Sequence, residues 1–148
     1  MLCFSENFNN ILMWSHYADN NKGFCLEFNT NKINTRKLYP VMYEKEPPCL
    51  PDLYNKCQKG LVDITLLQNI YITTKYKNWV YEKEWRYIDS KEYIEIMPTA
   101  IYMGTNISSA DESKLKSYAK SNNIQIKKMA QIPSQYKLEA RDITIMED

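Results

Sequence analysis

The residues of this chain best suited to chemistry stand together at residues 80–87, in the segment Val-Tyr-Glu-Lys-Glu-Trp-Arg-Tyr. In an extended backbone alternate side chains point to one face, so Glu82, Glu84 and Arg86 would converge on one patch. A preorganised carboxylate stabilises positive charge that develops during a reaction, and a nearby arginine lowers the pKa of such an acid. The same alternation is also typical of an ordinary solvated strand face with one ion pair, and both interpretations remain open.

His16, the only histidine of the chain, is a second candidate. An imidazole suits the work of a general base near neutral pH, and His16 and Tyr17 would project from a helix into a pocket beside residues 80–87. Its neighbours at four-residue spacing are Leu12 and Asn20, so His16 borders the apolar face of that helix. A hydrogen-bonded structural histidine is therefore the alternative.

Tryptophan rings offer flat surfaces on which a nucleotide base can stack. Trp14, Trp79 and Trp85 stand close to the other candidates in the sequence, and Trp14 and Trp85 are the two that we expect to bind a ligand. Packing in the hydrophobic core is the alternative for each of them.

Periodicity predicts the elements that would position these residues. Asn9 or Asn10 caps a helix whose buried stripe is Ile11, Trp14 and Ala18, and Asn and Gly end it in a left-handed turn. Strands are predicted at residues 2–5, 24–28, 38–43, 82–88, 93–97, 100–103, 124–129 and 136–146, with helices at 11–18, 61–78 and 108–121.

These elements indicate a single α+β domain over residues 1–148, with about three helices and a mixed or mostly antiparallel sheet. The strands at 24–28 and 38–43 are expected to be antiparallel neighbours. Three prolines at residues 46–52 argue against regular structure there. Two apolar stripes on the 61–78 helix, such as Ile64 with Leu67 and Val62 with Leu66, predict that this helix is largely buried, although the β-branched run 70–74 favours a strand.

Composition excludes several classes of protein. Lys and Arg number 19 and Asp and Glu number 18, so the charge balance shows no strong nucleic-acid signal and no anionic-membrane signal. No segment reaches the roughly eighteen apolar residues that span a bilayer, and no secretory signal is visible, so we expect a cytoplasmic protein that does not enter the membrane.

The four cysteines lack both zinc-site spacing and the density of a disulfide scaffold, so we expect reduced thiols, with Cys3 and Cys25 in the core, and no metal. The three glycines cannot assemble a phosphate-binding loop. A Gly-x-Ser-x-Gly elbow is also missing from the sequence, which argues against hydrolases.

Several motifs together resemble a known family. They are Cys3-Phe4-Ser5-Glu6, Leu12-Met13-Trp14-Ser15-His16-Tyr17-Ala18, Lys22-Gly23-Phe24-Cys25-Leu26-Glu27-Phe28, Trp79-x-Tyr81-Glu82-x-Glu84-Trp85-Arg86 and Tyr102-x-Gly104. In order and spacing they are similar to the bacterial domain-of-unknown-function 2971 (DUF2971) family. The resemblance implies an uncharacterised bacterial protein and assigns it no reaction.

Members of that family carry a further amino-terminal region with a Tyr-Arg or Tyr-Lys start and an Asn-Asp-Pro-Phe motif. The resemblance therefore implies that this chain corresponds to the carboxy-terminal portion of such a protein. We accordingly expect an exposed apolar edge that a partner or a second copy of the chain covers.

Glu82-Lys83-Glu84 also resembles the Glu-x-Glu pair of ADP-ribosyltransferases. In those enzymes the second carboxylate holds a ribose hydroxyl and the first activates the acceptor, so the resemblance implies NAD as cofactor and a nucleotide as ligand. Ser5 resembles their pocket-lining serine, whereas their cofactor-binding Arg or His would belong to the missing region. The alternative is a non-catalytic ligand- or protein-binding module, and families of this pattern occur in phage-defence contexts.

Overall fold

The computed structural model of the protein describes residues 1–91 and 94–143. Within these residues there are four α-helices, α1 (Ile11–Tyr17), α2 (Leu50–Gln58), α3 (Ile64–Thr73) and α4 (Ser109–Asn122). The strands are β1 (Leu2–Ser5), β2 (Phe24–Glu27), β3 (Leu38–Pro40), β4 (Met42–Glu44), β5 (Thr74–Tyr76), β6 (Glu84–Tyr87), β7 (Ala100–Met103), β8 (Gln125–Gln131) and β9 (Leu138–Asp142). The predicted α+β class is confirmed.

The chain divides into two compact units. The first unit holds the described residues of Met1–Glu6 and Arg36–Glu92, and the second holds those of Asn7–Thr35 and Tyr93–Asp148. The predicted single domain over residues 1–148 stays a prediction. Among the described helices, none is long and apolar enough to pass through a lipid bilayer.

The second unit is a mixed sheet with strand order β2-β7-β8-β9, in which only β7 and β8 are parallel. Strand β7 is buried along its whole length, and its alternate residues belong to two different hydrophobic clusters. Tyr102 packs with Trp14 of α1, whereas Ile101 and Met103 pack with Ala119 of α4. The sheet therefore carries one cluster with a residue of α1 and another with a residue of α4.

The helices of this unit begin where the sequence predicts. The Asn10 side chain caps α1 by accepting from the backbone N–H groups of Leu12 (2.9 Å) and Met13 (3.3 Å). Ser108 caps α4 by accepting from the Asp111 N–H at 3.1 Å. These caps satisfy amide hydrogens that a first turn leaves unpaired. Tyr118 of α4 is exposed.

The left-handed turn predicted after α1 is confirmed. Asp19, Asn20 and Asn21 have φ angles of 44°, 54° and 67°. This turn reaches the end of β7, where the Gly104 N–H donates to the carbonyl of Gly23 at 2.9 Å. Backbone lies so close to Gly104 that only a residue without a Cβ fits there.

The first unit contains an antiparallel sheet with strand order β1-β6-β3 and a separate parallel pair, β4 with β5. Cys3 lies opposite Arg86 and Ser5 opposite Glu84 across the β1–β6 ladder. Directly opposed side chains share a face, so this register gathers polar groups on one side of the sheet. Cys3 is exposed rather than in the core, because β1 is an edge strand.

Several predicted boundaries are wrong in this unit. The predicted strand at 38–43 is two strands in different sheets, and β3 pairs with β6 while β2 pairs with β7, so the expected neighbours are not paired. The proline-rich segment runs into helix α2, whose first turn holds Pro51, a position where a missing N–H does no harm.

The predicted helix at 61–78 is shorter and less buried than expected. It ends at Thr73, where the β-branched run continues as strand β5. Thr73 is its one buried residue, and Ile64, Leu66 and Tyr71 are exposed, so its apolar stripes remain partly open to solvent.

Two further predicted strands extend beyond the described residues. Residues 94–97 of the predicted 93–97 strand are not in a strand, and Tyr93 lies outside the described residues. The last predicted strand, 136–146, corresponds to β9, and its residues 144–146 are also outside them.

Gly104→Ala should strongly destabilise the protein. The added methyl carbon would collide with the backbone carbonyl oxygen of Asn21. It would also lie 2.6 Å from the carbonyl carbon of Asn21 and 2.9 Å from the carbonyl oxygen of Gly23. Since these are backbone atoms, we expect the free energy of unfolding to fall by about 3 kcal/mol in urea denaturation. Ser121→Ala, at an exposed position of α4, is the control and should change little. A loss below about 1 kcal/mol for Gly104→Ala would contradict the close approach of the Asn21 and Gly23 backbone to Gly104.

Candidate functional site

The segment 80–87 is only half extended. A 3-10 helix runs over Lys77–Glu82, Lys83 is left-handed with φ 45° and ψ 52°, and strand β6 begins at Glu84. The prediction of one continuous strand face is therefore wrong for residues 80–83. The turn at Lys83 nevertheless brings Glu82 to the same cation as Glu84, because both carboxylates contact Lys75.

Lys75 of strand β5 joins the two acids. Its Nζ donates to Glu82 Oε2 and, at 3.0 Å, to Glu84 Oε2. The two acidic residues are only 3% and 7% exposed, which is rare for glutamates that lack a partner. One ammonium group is therefore shared by two carboxylates that the chain removes from water.

Arg86 supplies the second cation. It lies two residues after Glu84 on the same face of β6, as the sequence predicts, and its Nε donates to Glu84 Oε1 at 2.8 Å. A second donor, Nη2, reaches Glu84 Oε2 at 3.3 Å, while Nη1 donates to the carbonyl of Ile72. Arg86 thus ties β6 to the end of α3. We call Lys75, Glu82, Glu84 and Arg86 the charge cluster.

Two neutral side chains hold the backbone of the cluster. The Ser5 hydroxyl donates to the Glu82 carbonyl at 2.6 Å, and the Tyr43 hydroxyl accepts from the Glu84 N–H at 2.8 Å. The structure therefore places Ser5 beside both acids. The ligand-binding role of Ser5 stays a prediction.

The cluster keeps the Glu84 carboxylate ionised. Burial alone would raise the pKa of Glu84, but hydrogen bonds from Arg86, Lys75 and Cys3 outweigh burial and hold that pKa at about 2. Burial likewise opposes the charge of Lys75, yet its bonds to Glu82 and Glu84 raise its pKa above the ordinary value. Burial and the hydrogen bond to Glu84 raise the pKa of the Cys3 thiol, so this cysteine is a poor nucleophile at neutral pH.

The other predicted site residues lie elsewhere. Trp85 points to the opposite face of β6 from Arg86, and its Nε1 donates to Glu6 at 2.8 Å. Trp14 is 4% exposed in the core of the second unit, as the core alternative expects, and its ligand-binding role stays a prediction. His16 and Tyr17 are exposed on α1, also in the second unit, with ring centroids 6.4 Å apart.

A pocket of about 410 Å³ opens beside two cations of the cluster. Apart from Lys75 and Arg86, its lining is a mixture of apolar, aromatic and charged residues: Met1, Glu44, Lys45, Glu46, Pro47, Pro48, Tyr71, Ile72, Thr74 and Tyr76. All of these residues belong to the first unit.

Sequence reasoning missed Lys75 and the pocket. Lys75 stands seven residues before Glu82, inside the stretch predicted to be helical, so nothing local linked it to the acids. The β-branched residues that precede it were the available signal, since they favour the strand that turns Lys75 toward Glu84. In the described residues no three His, Cys, Asp or Glu side chains are grouped in a way that would hold a metal ion.

Comparison with known proteins decides the family. The family described as "Protein of unknown function (DUF2971)" matches residues 13–87, about half of the chain. The chain belongs to the DUF2971 family. The matched segment of this DUF2971 protein includes the whole charge cluster and ends where β6 ends. Neither the curated proteins nor the solved structures contain a match to it.

Lys75→Met should strongly destabilise the folded state of the DUF2971 chain. Removing one partner of a buried ion pair leaves the other charge uncompensated, and here two carboxylates lose their shared cation. We expect a loss of about 4 kcal/mol in the free energy of unfolding, measured by urea denaturation. Lys83→Met is the matched control, because Lys83 is exposed and lies 4.0 Å from an equally exposed Glu6; it should lose under about 0.5 kcal/mol. Equal losses for the two variants would contradict the central place of Lys75.

Acid should remove the contribution of Glu84. Its pKa is lowered from 4.5 to about 2, so its stabilising effect is complete above pH 4.5 and disappears as the pH falls toward 2. We expect the difference in stability between the wild type and Glu84→Gln to shrink over that interval and to stay constant above it. Asp89, whose hydrogen bond from Lys37 holds its pKa at about 2, titrates in both proteins and cancels in the comparison. A difference independent of pH would contradict the depressed pKa.

Proposed function

We propose that this DUF2971 chain carries a small-molecule-binding module, and that the ligand occupies the pocket beside Lys75 and Arg86. Nucleosides and nucleotides are the candidate ligands. One observation carries the proposal: a preformed pocket is lined by cations that still have N–H groups able to donate hydrogen bonds. Concave pockets with a few convergent polar groups are the usual form of such sites.

The donors follow from the hydrogen bonds of the cluster. Among the described residues, Lys75 donates one hydrogen bond to Glu82 and one to Glu84, and an ammonium group has three N–H groups. Arg86 donates two hydrogen bonds to Glu84 and one to the carbonyl of Ile72, and a guanidinium has five N–H groups. The Lys75 ammonium also lies over the Trp79 ring, 5.2 Å from its centroid. Both side chains line the pocket, and the two N–H groups left on Arg86 are the donors that we expect to meet an acceptor atom of a ligand.

The walls of the pocket suit a flat ring. Tyr71 and Tyr76 line it and are 53% and 51% exposed, which leaves half of each side chain for contact with a ligand. Pro47 and Pro48 add apolar surface on a segment with few conformations. Aromatic rings of this kind contribute binding energy by stacking on bases, whatever the base.

ADP-ribosyl transfer from NAD is the second candidate. The position of Ser5 directly opposite Glu84 in the β1–β6 ladder favours it, because the resemblance identifies Ser5 with the serine that lines the pocket of those enzymes. The cluster weighs against it. Both carboxylate oxygens of Glu84 accept hydrogen bonds from cations, so its charge is already neutralised and serves a developing positive charge on ribose poorly.

Tyr76→Ala should weaken ligand binding without unfolding the domain. With adenosine, AMP, ADP-ribose and NAD as probes, we expect at least one to raise the melting temperature of the wild type, since a ligand that binds only the folded state stabilises it. Loss of the ring from the pocket wall should weaken that ligand about tenfold in calorimetry. Tyr54→Ala is the control, because Tyr54 is 55% exposed and does not line the pocket.

Two results would count against this proposal. Equal weakening by Tyr76→Ala and Tyr54→Ala would place the ligand outside the pocket. Turnover of NAD by the wild type that disappears in Glu84→Gln would favour the transferase instead, whereas binding without turnover supports a module that only binds.

A further inference from the structure

We infer that Arg86 makes the pocket selective for guanine, by donating two hydrogen bonds to adjacent acceptor atoms on one edge of that base. This inference rests on the proposed function and names the base that the pocket prefers. It follows from the hydrogen bonds that Arg86 already makes within the charge cluster.

The partners of Arg86 leave a defined pair of donors. Its Nε and Nη2 atoms donate to Glu84, at 2.8 Å and 3.3 Å, and Nη1 donates to the carbonyl of Ile72. A guanidinium has five N–H groups in one plane, one on Nε and two on each terminal nitrogen. One N–H group therefore remains on Nη1 and another on Nη2, in the same plane.

Two elements fix the orientation of this guanidinium. Glu84 holds it from strand β6, and Ile72 holds it from the end of α3. The Arg86 side chain lines the pocket and is only 14% exposed, so it has little freedom to turn toward a ligand of a different pattern. A fixed planar donor pair is the means by which arginine selects between bases.

Adenine and guanine differ on the edge that such a donor pair contacts. The O6 and N7 atoms of guanine are adjacent acceptors, and arginine binds them with two parallel hydrogen bonds in protein–DNA complexes. Adenine places an amino group where guanine has O6, so one N–H of Arg86 would face another donor. That contact loses a hydrogen bond and leaves a donor of a largely buried side chain unsatisfied.

The other charged groups of the lining do not distinguish the two purines. They are two acids and two cations: Glu44, Glu46, Lys45 and the amino group of Met1. Both purines carry ring-nitrogen acceptors and an amino group, so a carboxylate or an ammonium group finds a partner on either base. Lys75, the remaining cation, donates to its two acids and lies over the Trp79 ring.

The walls and the size of the pocket suit a purine of either kind. Tyr71 and Tyr76 offer rings on which any base can stack. The volume of about 410 Å³ lies within the range of small-molecule sites. Stacking therefore contributes affinity for both purines, and Arg86 contributes the preference between them.

The test is a series of nucleosides measured by calorimetry on the full chain. We expect guanosine to bind about tenfold more tightly than adenosine, the discrimination that a bidentate arginine provides. 7-Deazaguanosine, which lacks the N7 acceptor, should also bind about tenfold more weakly than guanosine, whereas inosine, which keeps O6 and N7, should stay within about threefold of it. Cytidine, whose O2 and N3 are also adjacent acceptors, should bind more weakly because its single ring stacks less.

Arg86→Lys tests the donor pair directly. Lysine keeps a cation beside Glu84 but has no planar pair of N–H groups, so guanosine should weaken about tenfold and removal of N7 should then cost less than about twofold. Arg141→Lys is the matched control, because Arg141 also donates to an acid two residues before it, Glu139, and does not line the pocket. A circular dichroism melt shows whether each variant is folded, and the nucleoside series on the wild type decides the inference without them.

The outcomes separate the inference from the proposed function. Adenosine or cytidine bound as tightly as guanosine, or no loss with 7-deazaguanosine, would overturn the guanine preference while a binding function stands. AMP and GMP bound equally, and both more tightly than the nucleosides, would show that phosphate takes the donors of Arg86 and would also overturn it. Failure of every nucleoside and nucleotide to bind would overturn both proposals.

Discussion

The candidate site of the first unit depends on the ion pairs of one lysine, Lys75. Lys75 stands on a two-stranded parallel pair, and the acids it contacts come from the end of a 3-10 helix and the start of strand β6. Since Glu82 and Glu84 are buried, both carboxylates require a nearby cation; Lys75 contacts both of them, and Arg86 also contacts Glu84. The contact therefore joins three elements that no continuous hydrogen-bond ladder connects, and the site depends on it.

Buried ion clusters contribute little net stability, because the desolvation of the charges offsets much of their attraction. What this cluster determines is geometry. Arg86 is fixed by Glu84 and by the carbonyl of Ile72, and Lys75 by two carboxylates, so these two side chains of the pocket lining are held in place. Preorganised donors lose less entropy on binding, which suits a binding site. The same saturation makes Glu84 a poor catalytic acid or base.

Local patterns predicted the second unit better than the first. The cap at Asn10, the left-handed turn at Asp19–Asn21 and the buried strand β7 each depend on neighbouring residues, and each is confirmed. In the first unit the same reasoning failed at α2, where Pro51 sits in the first helical turn, and at α3, whose apolar residues looked buried but are half exposed. The first error arises because proline is tolerated in a first helical turn, and the second because the exposure of an apolar stripe depends on tertiary packing.

The sequence by itself determined the family motifs, the α+β class and the shared face of Glu84 and Arg86, since a two-residue spacing on a strand has one geometric outcome. It did not determine the turn at Lys83, the arrival of Lys75 or the pocket. Those depend on the pairing of β5 with β4, two segments far apart in the chain, and on the 3-10 helix that directly follows β5. Only the tertiary structure decides whether two acids and an arginine form an open catalytic site or a neutralised cluster, because only the tertiary structure supplies the second cation.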